Sequence, residues 1–247
     1  MLLFNNLFLT LRATLKSLTD GKIWFYLFVP TLLALFVWVL LLIFSLGALS
    51  EKLMDAPPLS LMVAWGMISL AKILALISGW ISITGLSYLI GLLVTSIFIL
   101  PLLLKHIGKT QYADLVFAGN SFWGSTALYS CWVIFLYVLL WVLTLPLWFV
   151  PGFALILPLI LMAWLNYKTY TFEILADFAT SAEKKEILQK HFLSLFLLGL
   201  LLSLVAHLPI LCLFAPGITA LAFSHYVLLA LKELRGDAIL SVEVQNK

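Results

Sequence analysis

The chain has 247 residues, of which 64% are hydrophobic and 10% are charged, with a formal net charge of +3. An ordinary soluble domain carries roughly 25% charged residues, so this composition excludes a water-soluble globule and identifies an integral membrane protein. With so few charges, the lipid bilayer rather than a nucleic acid is the expected partner.

The first element in chain order is an amphipathic helix over residues 1–20. Phe4, Phe8, Leu11, Leu15 and Leu18 recur at spacings of four and three, while Asn5, Arg12 and Lys16 lie off that stripe. Such a helix either sinks its Phe/Leu face into acyl chains or packs on its own protein. Thr19-Asp20-Gly21-Lys22 follows, with Asp20 or Thr19 available to cap the next helix. A transmembrane helix is expected over 23–49, then an exposed turn around Asp55 and Pro57-Pro58, then a second long helix over 61–104. Gly79, Gly85 and Gly91 stand six residues apart on it, too far out of phase to share one face.

Two further apolar runs, 127–165 and 192–231, are about twice the length a single span needs. Each is interrupted by nearly the same phrase. Leu145-Pro146-Leu147 precedes Pro151-Gly152-Phe153 in the first, and Leu208-Pro209-Ile210 precedes Pro216-Gly217-Ile218 in the second. Proline removes a backbone donor and clashes with the preceding helical turn, and Pro-Gly favours reversal, so both runs read as hairpins broken midway. The limbs after Gly152 and Gly217 offer only about 14 apolar residues each, short of a ~30 Å core. Re-entrant, hemi-penetrating hairpins are therefore preferred over four thin spanning helices.

Residues 166–191 form the largest cytoplasmic segment, in which Thr180-Ser181-Ala182-Glu183 fits a capping box. Tyr167, Tyr170 and Phe172 are expected at headgroup level. The tail, 236–247, is expected to be flexible. The whole is thus an all-α membrane protein with one membrane domain, 1–235. Twelve of its 14 Lys and Arg residues fall on one side under this topology, which puts both termini in the cytoplasm.

Chemistry-bearing motifs are sparse. A nucleophilic triad, a nucleotide loop, metal-ligand spacing and a paired carboxylate at membrane depth are all missing, so no enzyme activity, metal or cofactor is expected. Cys131 and Cys212 stand apart in apolar surroundings and read as free buried thiols. His207, just before the second break, and His225, on the returning limb, are ionisable groups inside an apolar run; each is either a pathway residue or a structural one satisfied by a carbonyl or by Ser203 or Ser224. Helical limbs that begin at Gly152 and Gly217 would present unpaired N–H groups, with the Thr219 hydroxyl beside the second. Two such termini could bind an oxyanion, or the Pro-Gly pairs could simply make tight turns.

In order and punctuation the chain resembles the CysZ-type sulfate transporters, which share the etoposide-induced-protein domain. Gly21-Lys22 and Pro30 resemble that family's Gly-cation turn and early proline, and Pro101 its proline late in the second helix. Val150-Pro151-Gly152 resembles its first hairpin apex, and Pro209-Ile210-Leu211-Cys212-Leu213-Phe214 with Pro216 its second. The resemblance implies two long spanning helices, two hemi-penetrating hairpins, a homo-oligomer and sulfate uptake at a bacterial inner membrane. The chain departs from the family's pattern where Lys22 stands for two arginines, where Tyr170-Thr171-Phe172 replaces an Asp-Tyr-Pro element, and where Cys212 replaces an asparagine. A lone ammonium lacks the bidentate fork of arginine, so the fold transfers more safely than the substrate.

The expectation is a transporter or channel-like permease for a small anion, with sulfate as the candidate, binding at Gly21, Lys22, Gly152, His207, Gly217 and Thr219. A non-transporting protein that shapes membranes or scaffolds partners is the alternative.

Overall fold

The computed structural model describes residues 2–115, 118–119, 123–144, 147, 153–206 and 211–245. Among them every regular element is helical. In chain order these are α1 (Leu2–Ser17), α2 (Gly21–Asp55), α3 (Leu59–Ala64), α4 (Ile68–Val94), a π-helical turn (Thr95–Ile99), α5 (Leu100–Gln111), α6 (Trp123–Leu143), α7 (Phe153–Phe178), α8 (Ser181–Lys190), α9 (Phe192–Ala206) and α10 (Leu211–Gln245). Among the described residues, four helical stretches are long and apolar enough to cross a bilayer: Gly21–Asp55, Ile68–Gln111, Thr126–Leu143 and Phe214–Gly236. The protein is an all-α, multi-pass membrane protein, as its composition requires.

The chain divides into two compact units. One, residues 29–92, is a helical pair joined by a short connection. Within it Gly79 lies under Leu46 and Ser50, and Gly91 under Ala34, while Gly85 has no neighbour within 4 Å. The glycines therefore do not act as one stripe: two admit side chains of α2 and the third does not. The expected single helix over 61–104 is divided at Gly66, which adopts φ 81° and ends α3. Met67 N–H bonds Met62 O at 3.0 Å and Gly66 N–H bonds Val63 O at 3.0 Å, the Schellman pattern that a left-handed glycine allows.

The other unit comprises residues 1–28 and 93–247. Its centre is α10, in which every residue from Thr219 to Leu228 is buried. A helix apolar all round is either a protein core or a membrane span in lipid, and this stretch of α10 is enclosed by protein. It packs on α9, α1 and α7, and the most extensive helix–helix contact joins α7 to α9. Gly199 makes that approach possible, because a Cβ there would stand 2.8 Å from the Ala163 carbonyl oxygen. Consecutive helices α6 and α7 pack together, as do α9 and α10.

Limb lengths differ from expectation. The limb expected to end at Leu165 is part of α7, 26 residues long, and the limb from Ile218 is part of α10, 35 residues long. Pro158 and Pro216 both lie inside these helices rather than at their ends. A proline forfeits one intrahelical bond; Pro216 is buried, and packing on neighbouring helices offsets the loss there. α10 also remains helical to Gln245, through most of the stretch expected as a tail.

The aromatic residues at 167–172 are not a belt. Tyr167 and Tyr170 are buried, and Phe172 stacks on Tyr129 with centroids 3.7 Å apart. They pack inward because α7 carries its protein-facing surface well past Leu165. The Cys131 thiol is free, but it is exposed on α6 rather than buried.

Candidate functional site

Helix α1 places the first polar groups. Its inward face is Leu7, Thr10, Thr14 and Ser17, spaced three or four apart, and all four are buried. Phe8, at 65% exposure, and Leu15, at 67%, point away from the protein, so the helix packs on its own chain and still offers an apolar face to lipid. Ser17 accepts from Gln111 Nε2 at 2.9 Å and lies 2.8 Å from His225 Nε2. Tyr112 Oη is 3.0 Å from His225 Nδ1. Both ring nitrogens of His225 are thus engaged. Ser224, its sequence neighbour, and Ser203, four residues before His207, instead donate to carbonyls of their own helices, Ala220 and Leu200.

At the start of α2, Asp20 caps the helix: its Oδ1 accepts the Lys22 N–H at 2.9 Å, and its Oδ2 lies 2.6 Å from His106 Nε2. The His106 hydrogen bond, seconded by the Lys22 N–H, holds the Asp20 carboxyl below its usual value. Gly21 has open space around it, and the Lys22 side chain is exposed. An anion at this turn would meet the Lys22 ammonium, while one of the first backbone donors already serves Asp20.

Gly217 and Thr219 are the seventh and ninth residues of α10, past the four whose N–H groups lack intrahelical acceptors. The expected helix N-terminus at Gly217 is therefore not there. Gly217 serves packing: a Cβ would fall 2.4 Å from Leu27 Cδ2, and Phe214 one turn earlier meets Trp24 and Phe28 edge-on. Thr219 is buried. Gly152 and His207 lie outside the described residues.

A more distinctive constellation lies on α7. Asn166, Thr169, Glu173 and Asp177 follow one another at spacings of three, four and four, which puts them on one helical face. Glu173 is 4% exposed, and its Oε1 accepts hydrogen bonds from the hydroxyls of Ser96 and Ser130. Its Oε2, both polar atoms of Asn166 and the hydroxyls of Thr169 and Thr171 have no hydrogen-bond partner among the described residues. Ser96 stands in the π-helical turn, whose wide register is marked by Pro101: that residue has no N–H to return to the Ile97 carbonyl four residues back. Beside Glu173 lies a cavity of about 170 Å³, lined also by Ser96, Leu100, Thr126 and Asp177. The sequence reading assigned 166–191 to a solvated segment, where a polar helix face is unremarkable. The usable signal was the three-four-four spacing continuing the preceding apolar helix.

At the far end of α7, Gly119 N–H bonds the Asp177 carbonyl at 3.0 Å, and a Cβ on Gly119 would lie 2.0 Å from Ala176 O. The expected capping box forms: Thr180 Oγ1 accepts from Glu183 N–H, and Glu183 Oε2 accepts from Thr180 N–H at 2.7 Å. Arg235 then bonds Glu183 at 2.8 Å and the Phe178 carbonyl at 2.8 Å, fastening the α7–α8 corner to α10.

Residues 10–216 match the family model described as sulfate transporter CysZ/etoposide-induced protein 2.4. No significant match was found among curated proteins or among solved structures.

Proposed function

Because the chain belongs to the sulfate transporter CysZ/etoposide-induced protein 2.4 family, we propose that this multi-pass membrane protein moves a small anion of the sulfate type across a bacterial inner membrane. The family match, over most of the chain, is the observation that carries the reading. It is supported by the polar stripe of α7, since polar side chains buried in an apolar membrane protein mark a pathway more often than a scaffold needs them. In this reading the protein is a permease and not an enzyme, both termini are cytoplasmic, and the α6–α7 and α9–α10 pairs enter from that side as re-entrant hairpins. Copies assemble through the exposed apolar faces of the long helices.

Lys22, exposed at the first turn of α2, is the entry cation, with Gly21 leaving room beside it. Gly152, His207 and Thr219 complete the proposed path from the two hairpins, and Gly217, expected there too, packs against Leu27 beside it. Labelled sulfate flux into proteoliposomes, with other oxyanions as competitors, tests the function. Uptake that sulfate analogues inhibit and Lys22→Glu abolishes is expected; equal uptake by empty vesicles would overturn it.

A second reading, a membrane-shaping or scaffold protein, is favoured by the outward Phe8 and Leu15 face of α1. Vesicle tubulation without flux would select it.

A further inference from the structure

Glu173 poses a charge problem that the anion reading leaves unsolved. Its carboxyl is buried at 4% exposure, and one of its oxygens has no hydrogen-bond partner among the described residues. Burying a lone carboxylate is costly unless a proton, a cation or a basic side chain compensates it. Among the described residues, no Lys, Arg or His lines the cavity beside it. What converges there is oxygen: the carboxylate of Glu173 on α7, the hydroxyl of Ser96 on the π-helical turn and the hydroxyl of Ser130 on α6. Ser96 Oγ and Ser130 Oγ are themselves 3.4 Å apart. Three elements thus bring three hard oxygens to one point, and Thr126 and Asp177 line the cavity wall beside them.

We propose that Ser96, Ser130 and Glu173 form a binding site for an alkali-metal cation, which enters through the adjoining cavity. The donor set selects the class. Hydroxyl and carboxylate oxygens suit hard cations and offer nothing to softer metals that prefer nitrogen or sulfur. Charge selects the valence. Glu173 supplies one buried negative charge and the serines none, whereas divalent ions are held by several carboxylates or by retained waters. Asp177, one turn further along α7, is only half-buried. A helix broken from its regular register beside the site is also where membrane proteins bring carbonyl oxygens to a small cation. Use of this cation to balance a transported anion rests on the transport reading above, whereas its binding does not.

The full chain in nanodiscs tests the binding. Titrating NaCl or KCl at constant ionic strength against choline chloride should raise the melting temperature saturably with at least one alkali ion. Glu173→Gln should abolish that shift, and Ser130→Ala should weaken the apparent affinity by tenfold or more while circular dichroism and elution remain those of the parent. If Glu173→Gln does not fold, Ser96→Ala and Ser130→Ala carry the test alone. A shift no larger than choline gives, or one unchanged in these variants, would overturn the proposal. So would stabilisation by acid to which no alkali ion adds, because a proton would then be the occupant. In flux assays, absent sulfate uptake together with a serine-dependent cation shift would sink the transport reading and leave the site standing.

Discussion

The Tyr170 hydroxyl donates to the backbone carbonyl of Pro216 at 3.0 Å, joining the middle of α7 to the proline turn of α10. Tyr170 is fully buried and its ring lies 5.8 Å from that of Phe223. The bond fixes the two helices in register where the α10 ladder is weakened by proline. Tyr170→Phe keeps the ring and deletes the donor, leaving a buried carbonyl with one partner fewer. That carbonyl keeps its intrahelical partner, so a loss of about 0.5 to 1.5 kcal/mol is expected. Denaturation in detergent should report it with helix content unchanged; a variant as stable as the parent would show the bond to be idle.

The glycines should separate cleanly when each is changed to alanine. At Gly119 the added carbon meets Ala176 O at 2.0 Å, and at Gly199 it meets Ala163 O at 2.8 Å; both obstacles are backbone. At Gly217 the obstacle at 2.4 Å is the end of the Leu27 side chain, which can turn aside. Gly21 and Gly85 meet nothing within 4 Å. Overpacking against unyielding structure costs about 1 to 3 kcal/mol or more, whereas a helical Gly→Ala change in open space gains up to about 1 kcal/mol. The expected order of melting temperature is therefore G85A above parent, G217A slightly below it, and G199A and G119A lowest. A reversed order of G85A and G119A would contradict the packing.

Glu183 predicts a pH response. Hydrogen bonds from Arg235, then those from Thr180, hold its carboxyl down at about 2 against partial burial, from an ordinary value of 4.5. Because the folded state binds this proton more weakly than the unfolded chain, the contribution is complete above about 4.5 and is lost as pH falls toward 2. Melting temperature should drop through that window, and Arg235→Met should both lower it at neutral pH and flatten the drop. A drop of equal size in the variant would place its origin in other carboxylates.

What could be read from the sequence follows from the range of each signal. The capping box at Thr180 and Glu183 and the cap at Asp20 depend on residues three apart or fewer, and both form as read. The long spans follow from hydropathy, which the bilayer enforces. Pro216-Gly217 misled because a proline breaks a helix only when nothing else pays for it, and here Leu27, Tyr170 and Phe223 pack around that turn from distant parts of the chain. Glu173 was hidden for a related reason. Its partners Ser96 and Ser130 are 77 and 43 residues away, so its burial is a tertiary fact that local polarity cannot express.

The His225 network offers the last test. Ser17 serves both Gln111 and His225, and Tyr112 takes the opposite ring nitrogen, so three elements share one imidazole. Each partner fixes the tautomer that the other needs. Where the serine donates to Nε2, the ring must donate from Nδ1 to Tyr112; where Nε2–H donates, Tyr112 must donate to Nδ1. Ser17→Ala or Tyr112→Phe alone should cost about 1 to 3 kcal/mol, since either strands a buried ring nitrogen. Together they should cost less than the sum, because the first loss already frees the ring from its fixed tautomer and orientation. A double-mutant cycle measures the difference, expected between about 0.5 and 3 kcal/mol. Strict additivity would mean that His225 merely fills space, and that the α1–α5–α10 junction is held by its apolar contacts alone.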